Sequence, residues 1–342
     1  GCIADQSPRS RRGMTTEPTS RRKPLRLVLR IALTVACIVV VVRAVDLREA
    51  VATTARMDPL YLLLAVAAEF AQRVLFILRW HVLLAPAGIQ VPVAQSLRLG
   101  FVALFYNNLM PSTVGGDAAK SYLLARRPGT DTTGIIASVL VDRLLIGWGS
   151  MLLFGLAAGL LLDMSQYKWA MLAMLAAGIL GAGVVWLAAR RAPVAEPGEH
   201  EPVMRRLVFR AATLFGELSR ALLRYRHHRW ALAASLLISS AGLVVMGLAL
   251  QFWAATVGFR LSTVEGVAIS AVMKIVGMVP ATINGLGWIE GATVVLLGWS
   301  GMAHADALAL AVAQRIAGTL LSLLGAGAQW LPDEKSVARP ET

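Results

Sequence analysis

Charge is scarce in this chain. Only 15% of its 342 residues are Asp, Glu, Lys or Arg, and 57% are hydrophobic. Soluble domains carry about a quarter charged residues, and with a mean hydropathy of +0.64 an integral membrane protein becomes the default class. Cysteine is nearly missing. Cys2 sits in a polar tail and Cys37 in an apolar run, so neither a disulfide framework nor a metal spacing exists. His81, His200, His227, His228 and His304 make no ligand cluster, and no phosphate loop appears. No metal, cofactor or catalytic residue is therefore expected, and the chain reads as a non-enzyme. Acidic residues are outnumbered, giving a net charge of +13. The excess arginine lies at the ends of apolar runs, which is a membrane-orientation signal rather than a nucleic-acid surface.

What the chain does have is a series of apolar runs, and a bilayer core about 30 Å thick needs roughly 20 such residues per helix. Residues 1–24 are polar and are expected to form a disordered cytoplasmic tail. Gly1 opens it and Met14 offers a more natural start, so whether residues 1–13 are native is left open. The run 25–45 follows Arg21, Arg22 and Lys23; Arg43 stands where a cleavage site would need small residues, so this is read as an uncleaved anchor. The span 59–80, with Trp80 at its far boundary and Arg79 on the cytoplasmic side, carries Glu69 and Arg73, four apart on one helix face. Charges inside a span mark functional sites by default, although an ion pair that locks two helices is an equal reading.

Between the apolar runs lies 107–120, NNLMPSTVGGDAAK, with paired amides, a proline, two hydroxyls, two glycines, an acid and a base. Non-helical backbone survives at membrane depth only where protein buries it or it lines a wet cavity. The flanks 94–110 and 118–127 are too short to span comfortably, so a re-entrant helical hairpin is expected. Next come a span at 134–162 with Asp142 and Arg143, a span at 169–189, and a basic amphipathic helix at 203–229 suited to anionic lipid. The span 230–253 has tryptophan at both ends, as in aromatic belts. A second hairpin is expected from 264–279, a break at 280–291, and 292–302. The last span, 305–330, carries Gln314 and Arg315, and a polar tail at 331–342 closes the chain.

The two hairpins repeat. Pro111-Ser112-Thr113-Val114 matches Pro280-Ala281-Thr282-Ile283, each followed by glycines and then an acid, Asp117 or Glu290. Upstream, Gly88, Val91 and Gln95 meet Gly258, Leu261 and Glu265; downstream, Asp142-Arg143 meets Gln314-Arg315. The expected fold is an all-α membrane protein with six full spans plus two re-entrant hairpins in an inverted repeat. Repeat A covers 59–162, the linker span and basic helix 169–229, and repeat B 230–330, within a membrane domain at 25–330. Both termini fall in the cytoplasm of a bacterial inner membrane.

Interrupted segments at matching places in two inverted halves point to a transporter's binding site. Helix ends at the breaks expose amides that attract anions, and Arg binds phosphate in a bidentate way. Headgroup binding is therefore expected at Arg143, Arg315, Lys274 and Lys120. Charge tuning or proton carriage falls to Asp117, Glu290, Asp142, Glu69 and Arg73. Asn107, Asn108, Ser112, Thr113, Gly115, Gly116, Asn284, Gly285 and Gly287 would line the path, or else simply satisfy broken backbone.

The ordered motifs Asn107-Asn108-x-x-Pro111-Ser112-x-x-Gly115-Gly116-Asp117-x-x-Lys120, Ser138-x-x-x-Asp142-Arg143 and Pro280-x-x-x-Asn284-Gly285-x-Gly287-x-x-Glu290-Gly291 resemble a flippase-like transmembrane family. That family is named after the membrane region of lysylphosphatidylglycerol synthase. The resemblance covers about 25–330 and implies movement of phospholipids or polyprenyl-linked glycans between leaflets. Lys120 stands where arginine is common, and Trp288-Ile289 precedes Glu290 where a basic residue is frequent, which bears on headgroup preference. The alternative is a non-transporting accessory presenting lipid to a partner glycosyltransferase or aminoacyltransferase; a third reading is an intramembrane enzyme acting on headgroups. An oligomer is left open.

Overall fold

The computed structural model describes residues 52–109, 115–127, 130–147, 149, 225, 227–278 and 282–329. The expectations for the tails 1–24 and 331–342, the spans 25–45 and 169–189, most of the helix 203–229, the far end of 134–162, and Ser112 and Thr113 lie outside those residues. Every regular element described is helical. In chain order these are α1 (Pro59–Leu84), α2 (Val93–Leu109), α3 (Gly115–Ala125) and α4 (Thr132–Leu140), which runs on into a π-helical turn, Val141–Gly147. Then come α5 (Arg229–Thr256), α6 (Thr263–Met278), a 3₁₀ turn (Ile283–Gly285), α7 (Trp288–Trp299) and α8 (His304–Ala328). Three helices, α1, α5 and α8, are long and apolar enough to cross a membrane.

Local chemistry explains where the helices begin. Asp58 caps α1 by accepting from the Leu60 amide at 2.8 Å, and Pro59 sits where its missing N–H costs nothing. Asp131 caps α4 the same way, through the Thr133 amide at 2.9 Å. Ser262 and Glu265 cap α6 reciprocally: the Ser262 amide donates to Glu265 Oε2 at 2.9 Å and the Glu265 amide to Ser262 Oγ at 3.2 Å.

α1 and α5 end alike. α1 ends in a turn where Gly88, at φ +82°, donates to the Ala85 carbonyl and Ile89 donates to Leu84. α5 ends in the same turn: Gly258, at φ +76°, donates to Ala255 and Phe259 to Ala254. Glycine adopts this left-handed conformation without the penalty a Cβ brings. The cores repeat too. Trp80, Leu84, Ile89, Leu99, Leu124 and Ile135 form one cluster, and their counterparts Leu250, Ala254, Phe259, Ile269, Leu297 and Ala307 pack together in another.

Among the described helices, α1 packs along α5 more extensively than any other pair. Their approach uses small residues, as membrane helices do: a Cβ on Gly242 of α5 would stand 2.5 Å from the Phe76 ring of α1. α2 and α8 form a second crossing between the halves. There a Cβ on Gly325 would lie 2.0 Å from the Phe101 carbonyl oxygen, and Arg98 donates to the Ala328 carbonyl at the end of α8 at 2.9 Å.

Two tryptophans expected at membrane boundaries are interior instead. α1 continues past Trp80 to Leu84, and Trp80 is buried, donating to Ser138 Oγ at 3.3 Å. Trp253 is buried and donates to Glu69 Oε1 at 2.9 Å. Trp230, by contrast, is exposed at the start of α5. Tyr225, read as part of an interfacial helix, is buried with its hydroxyl donating to the Leu83 carbonyl.

Candidate functional site

α1 carries Glu69, Gln72, Arg73, Phe76, Arg79 and Trp80 at spacings that put all six on one helix face. That face looks into a cavity of about 550 Å³ between the two halves. The far walls come from Asn107 of α2, Asp117 and Lys120 of α3, Asp142 and Arg143 of the π-helical turn, Met246 and Leu250 of α5, Ser270, Met273 and Lys274 of α6, and Gln314 of α8.

Each carboxylate in the wall is held by a cation. Glu69 Oε2 pairs with Arg73 at 2.8 Å while its other oxygen takes the Trp253 indole N–H. Asp142 binds Arg79 in a bidentate fork, at 2.7 and 2.9 Å, and Arg79 also donates to Ser239 Oγ at 3.1 Å. Asp117 lies between Lys120, at 2.9 Å, and Arg143, at 2.5 Å. Lys120 is further placed over the Trp80 ring at 4.3 Å, a favourable cation–π geometry. Asp142 and Arg143 are sequence neighbours, so their side chains diverge around the helix axis; one reaches α1 and the other α3. π-helical turns recur at functional sites.

Glu290 and Arg315 form a similar acid–arginine pair in a different setting. Arg315 Nε bonds Glu290 Oε1, and Glu290 Oε2 accepts the Gly287 amide at 2.8 Å, holding the start of α7. The same guanidinium donates to the Asn284 and Gly285 carbonyls at 3.3 and 3.4 Å, clamping the break between α6 and α7. Neither Arg315 nor Glu290 lines the cavity, whereas Arg143 does and its side chain is 36% exposed. The amides of the breaks are also used. Asn107 Oδ1 accepts the Gly116 amide at 2.7 Å, and Asn108 joins the two breaks, accepting from Asn284 Nδ2 at 3.3 Å and donating to Ser322 Oγ at 2.6 Å. Asn284 holds a left-handed conformation, φ 52°.

Of the residues singled out from sequence, the cavity brings together Arg143, Lys274, Lys120, Asp117, Asp142, Glu69, Arg73, Asn107 and Asn284. Asn108, Gly115, Gly116, Gly285 and Gly287 stand beside it rather than in its wall. Sequence reasoning missed Arg79, read as a boundary residue, and the aromatic pair Phe76 and Trp80. The available signal was the spacing of Arg79, seven residues after Gln72 and three after Phe76, which places it on their helix face. Among the described residues no three His, Cys, Asp or Glu side chains converge in a metal cradle.

Comparison with known proteins finds a family model described as the lysylphosphatidylglycerol synthase TM region, matching residues 27–325. A protein described as a UPF0104 membrane protein, from Methanothermobacter thermautotrophicus, is 24% identical over 289 residues, 80% of this chain and 86% of that relative.

Proposed function

The chain belongs to the lysylphosphatidylglycerol synthase transmembrane-region family, and from that premise we propose that it translocates a lipid or lipid-linked glycan between membrane leaflets. The observation that carries this reading is a charged cavity walled by helices of both repeats beside three apolar helices of spanning length. Carrying an ionised headgroup through hydrocarbon carries an idealised cost of tens of kcal/mol. Preplaced cations and amides replace its hydration, while the acyl chains stay in lipid. α2 and α3, like α6 and α7, are too short to span alone, which supports treating each pair as a hairpin entering the membrane and returning.

In this mechanism Arg143, Lys120 and Lys274 hold the headgroup while Asp117 tunes their charge. The Arg315–Glu290 pair is the matching element of the other half. It would open to the second leaflet as the Asn108–Asn284 bridge parts, by rocking of one repeat against the other. The basic segment 203–229 would hold the cytoplasmic face to anionic lipid, with both termini on that side of a bacterial inner membrane.

Reconstitution tests this. Vesicles containing fluorescently labelled phospholipids are treated with a membrane-impermeant quencher, and lipid movement is read from the protected fraction. Wild-type protein is expected to accelerate exchange. Arg143→Ala and Asp117→Asn each remove a charge-assisted contact worth about 1.5–3 kcal/mol, so exchange is expected to fall by about tenfold or more. Wild-type rates in both variants would remove this site. A protein that moves no lipid yet retains one with a co-purifying transferase would instead be an accessory that presents it.

A further inference from the structure

The cavity's charges are not all matched. Glu69 is taken by Arg73 and Trp253, Asp142 by both arms of Arg79, and Asp117 by Lys120 and Arg143. Lys274, in the opposite wall on α6, has no carboxylate or hydrogen-bond partner among the described residues; its ammonium lies 5.1 Å from the centre of the Phe76 ring. Arg79 occupies the same ring from 5.0 Å. Lys274 is half-buried, and a shared cation–π contact offsets only part of the penalty for taking its ammonium partly out of water.

From this juxtaposition of an unmatched lysine and fully engaged carboxylates, we infer that the ligand is a lipid whose headgroup is a net anion, its phosphate bound by Lys274. A headgroup bearing an amine, zwitterionic or aminoacylated, would bring an ammonium into a wall where each described carboxylate already has its cation. It would have to break an ion pair to be satisfied. An anionic phosphodiester meets Lys274 at once and breaks none. Lys274 thereby discriminates between headgroups by charge. The inference deepens the translocation reading and rests on it for the claim that the anion belongs to a lipid.

The test uses the full chain purified in detergent, with thermal unfolding followed in the presence of dioctanoyl phosphatidylglycerol, dioctanoyl phosphatidylcholine or glycerol 3-phosphate. Phosphatidylglycerol is expected to raise Tm and phosphatidylcholine to leave it unchanged. Lys274→Met is expected to unfold at or above the wild-type Tm without ligand, because it removes an unmatched, half-buried cation, and to bind phosphatidylglycerol at least about tenfold more weakly. Equal stabilisation by phosphatidylcholine, or a retained response in Lys274→Met, overturns the assignment. A Tm below wild type for that variant makes Lys274 structural and overturns it as well. Glycerol 3-phosphate acting as strongly as the lipid overturns the lipid source and leaves a soluble phosphate. The vesicle assay separates the two claims: if no labelled lipid crosses although the anionic one still stabilises the protein through Lys274, translocation fails and the headgroup assignment stands.

Discussion

At the residue scale, the chemistry of this protein is that of charges kept out of water. Arg79 and Asp142 are both buried and joined by two hydrogen bonds. Removing one partner of such a pair strands the other, at a cost of about 3–5 kcal/mol. Arg79→Met and Asp142→Leu are each expected to destabilise the protein by that order, and the double substitution to recover most of the loss. Denaturant unfolding in micelles of the four proteins measures the coupling; additive losses would show that the pair is not coupled. Trp253 makes a smaller contribution of the same kind. Its indole N–H is the second ligand of Glu69, so Trp253→Phe is expected to cost about 1.5–3 kcal/mol through the lost bond to a charged acceptor.

At the element scale, the repeat has a consequence for glycine. Gly88 and Gly258 close the same turn in the two halves, both at positive φ, and a Cβ on either would meet nothing within 4 Å. Substitution there is limited to conformational cost, about 1–2 kcal/mol for an L-residue held left-handed. Gly88→Ala and Gly258→Ala are therefore expected to lose similar, modest stability. Gly325→Ala should lose distinctly more, because its Cβ would collide with the Phe101 backbone, which cannot step aside as a side chain can. Comparing the three midpoints distinguishes strain in a turn from a clash between helices. Helix ends were less legible than helix existence: α1 runs to Leu84 and α5 to Thr256, because an apolar run in lipid does not announce which turn is its last.

At the scale of the whole molecule, the Asn108–Asn284 bridge joins the end of α2 to the 3₁₀ turn before α7. If translocation requires the halves to part there, locking them should stop it. In a background where Cys2 and Cys37 are replaced by serine, Asn108→Cys and Asn284→Cys joined by a short thiol-reactive crosslinker are expected to lose lipid exchange and to regain it when a cleavable linker is reduced. Unchanged exchange in the locked protein would place the moving boundary elsewhere.

Much of this was legible from residues alone. Membrane class follows from hydropathy, and family membership from ordered motifs. Matched prolines, glycines, acids and arginines led to the expectation of a repeat, and the like turns at Gly88 and Gly258 are what the described residues show of it. The structure shows Asp117 with Arg143 and Glu290 with Arg315, each acid paired with the arginine of its own repeat. What the residues could not decide was orientation around each helix. A helix apolar nearly all round gives no moment to say which face is interior, so Trp80 and Trp253 looked like boundary anchors and Arg79 like a cytoplasmic charge. Their partners lie 58, 184 and 63 positions away in sequence. Packing α1 against α4, the π-helical turn and α5 brings these distant groups together, and in that packing Arg143 lines the cavity while Arg315 bonds the carbonyls of its own break.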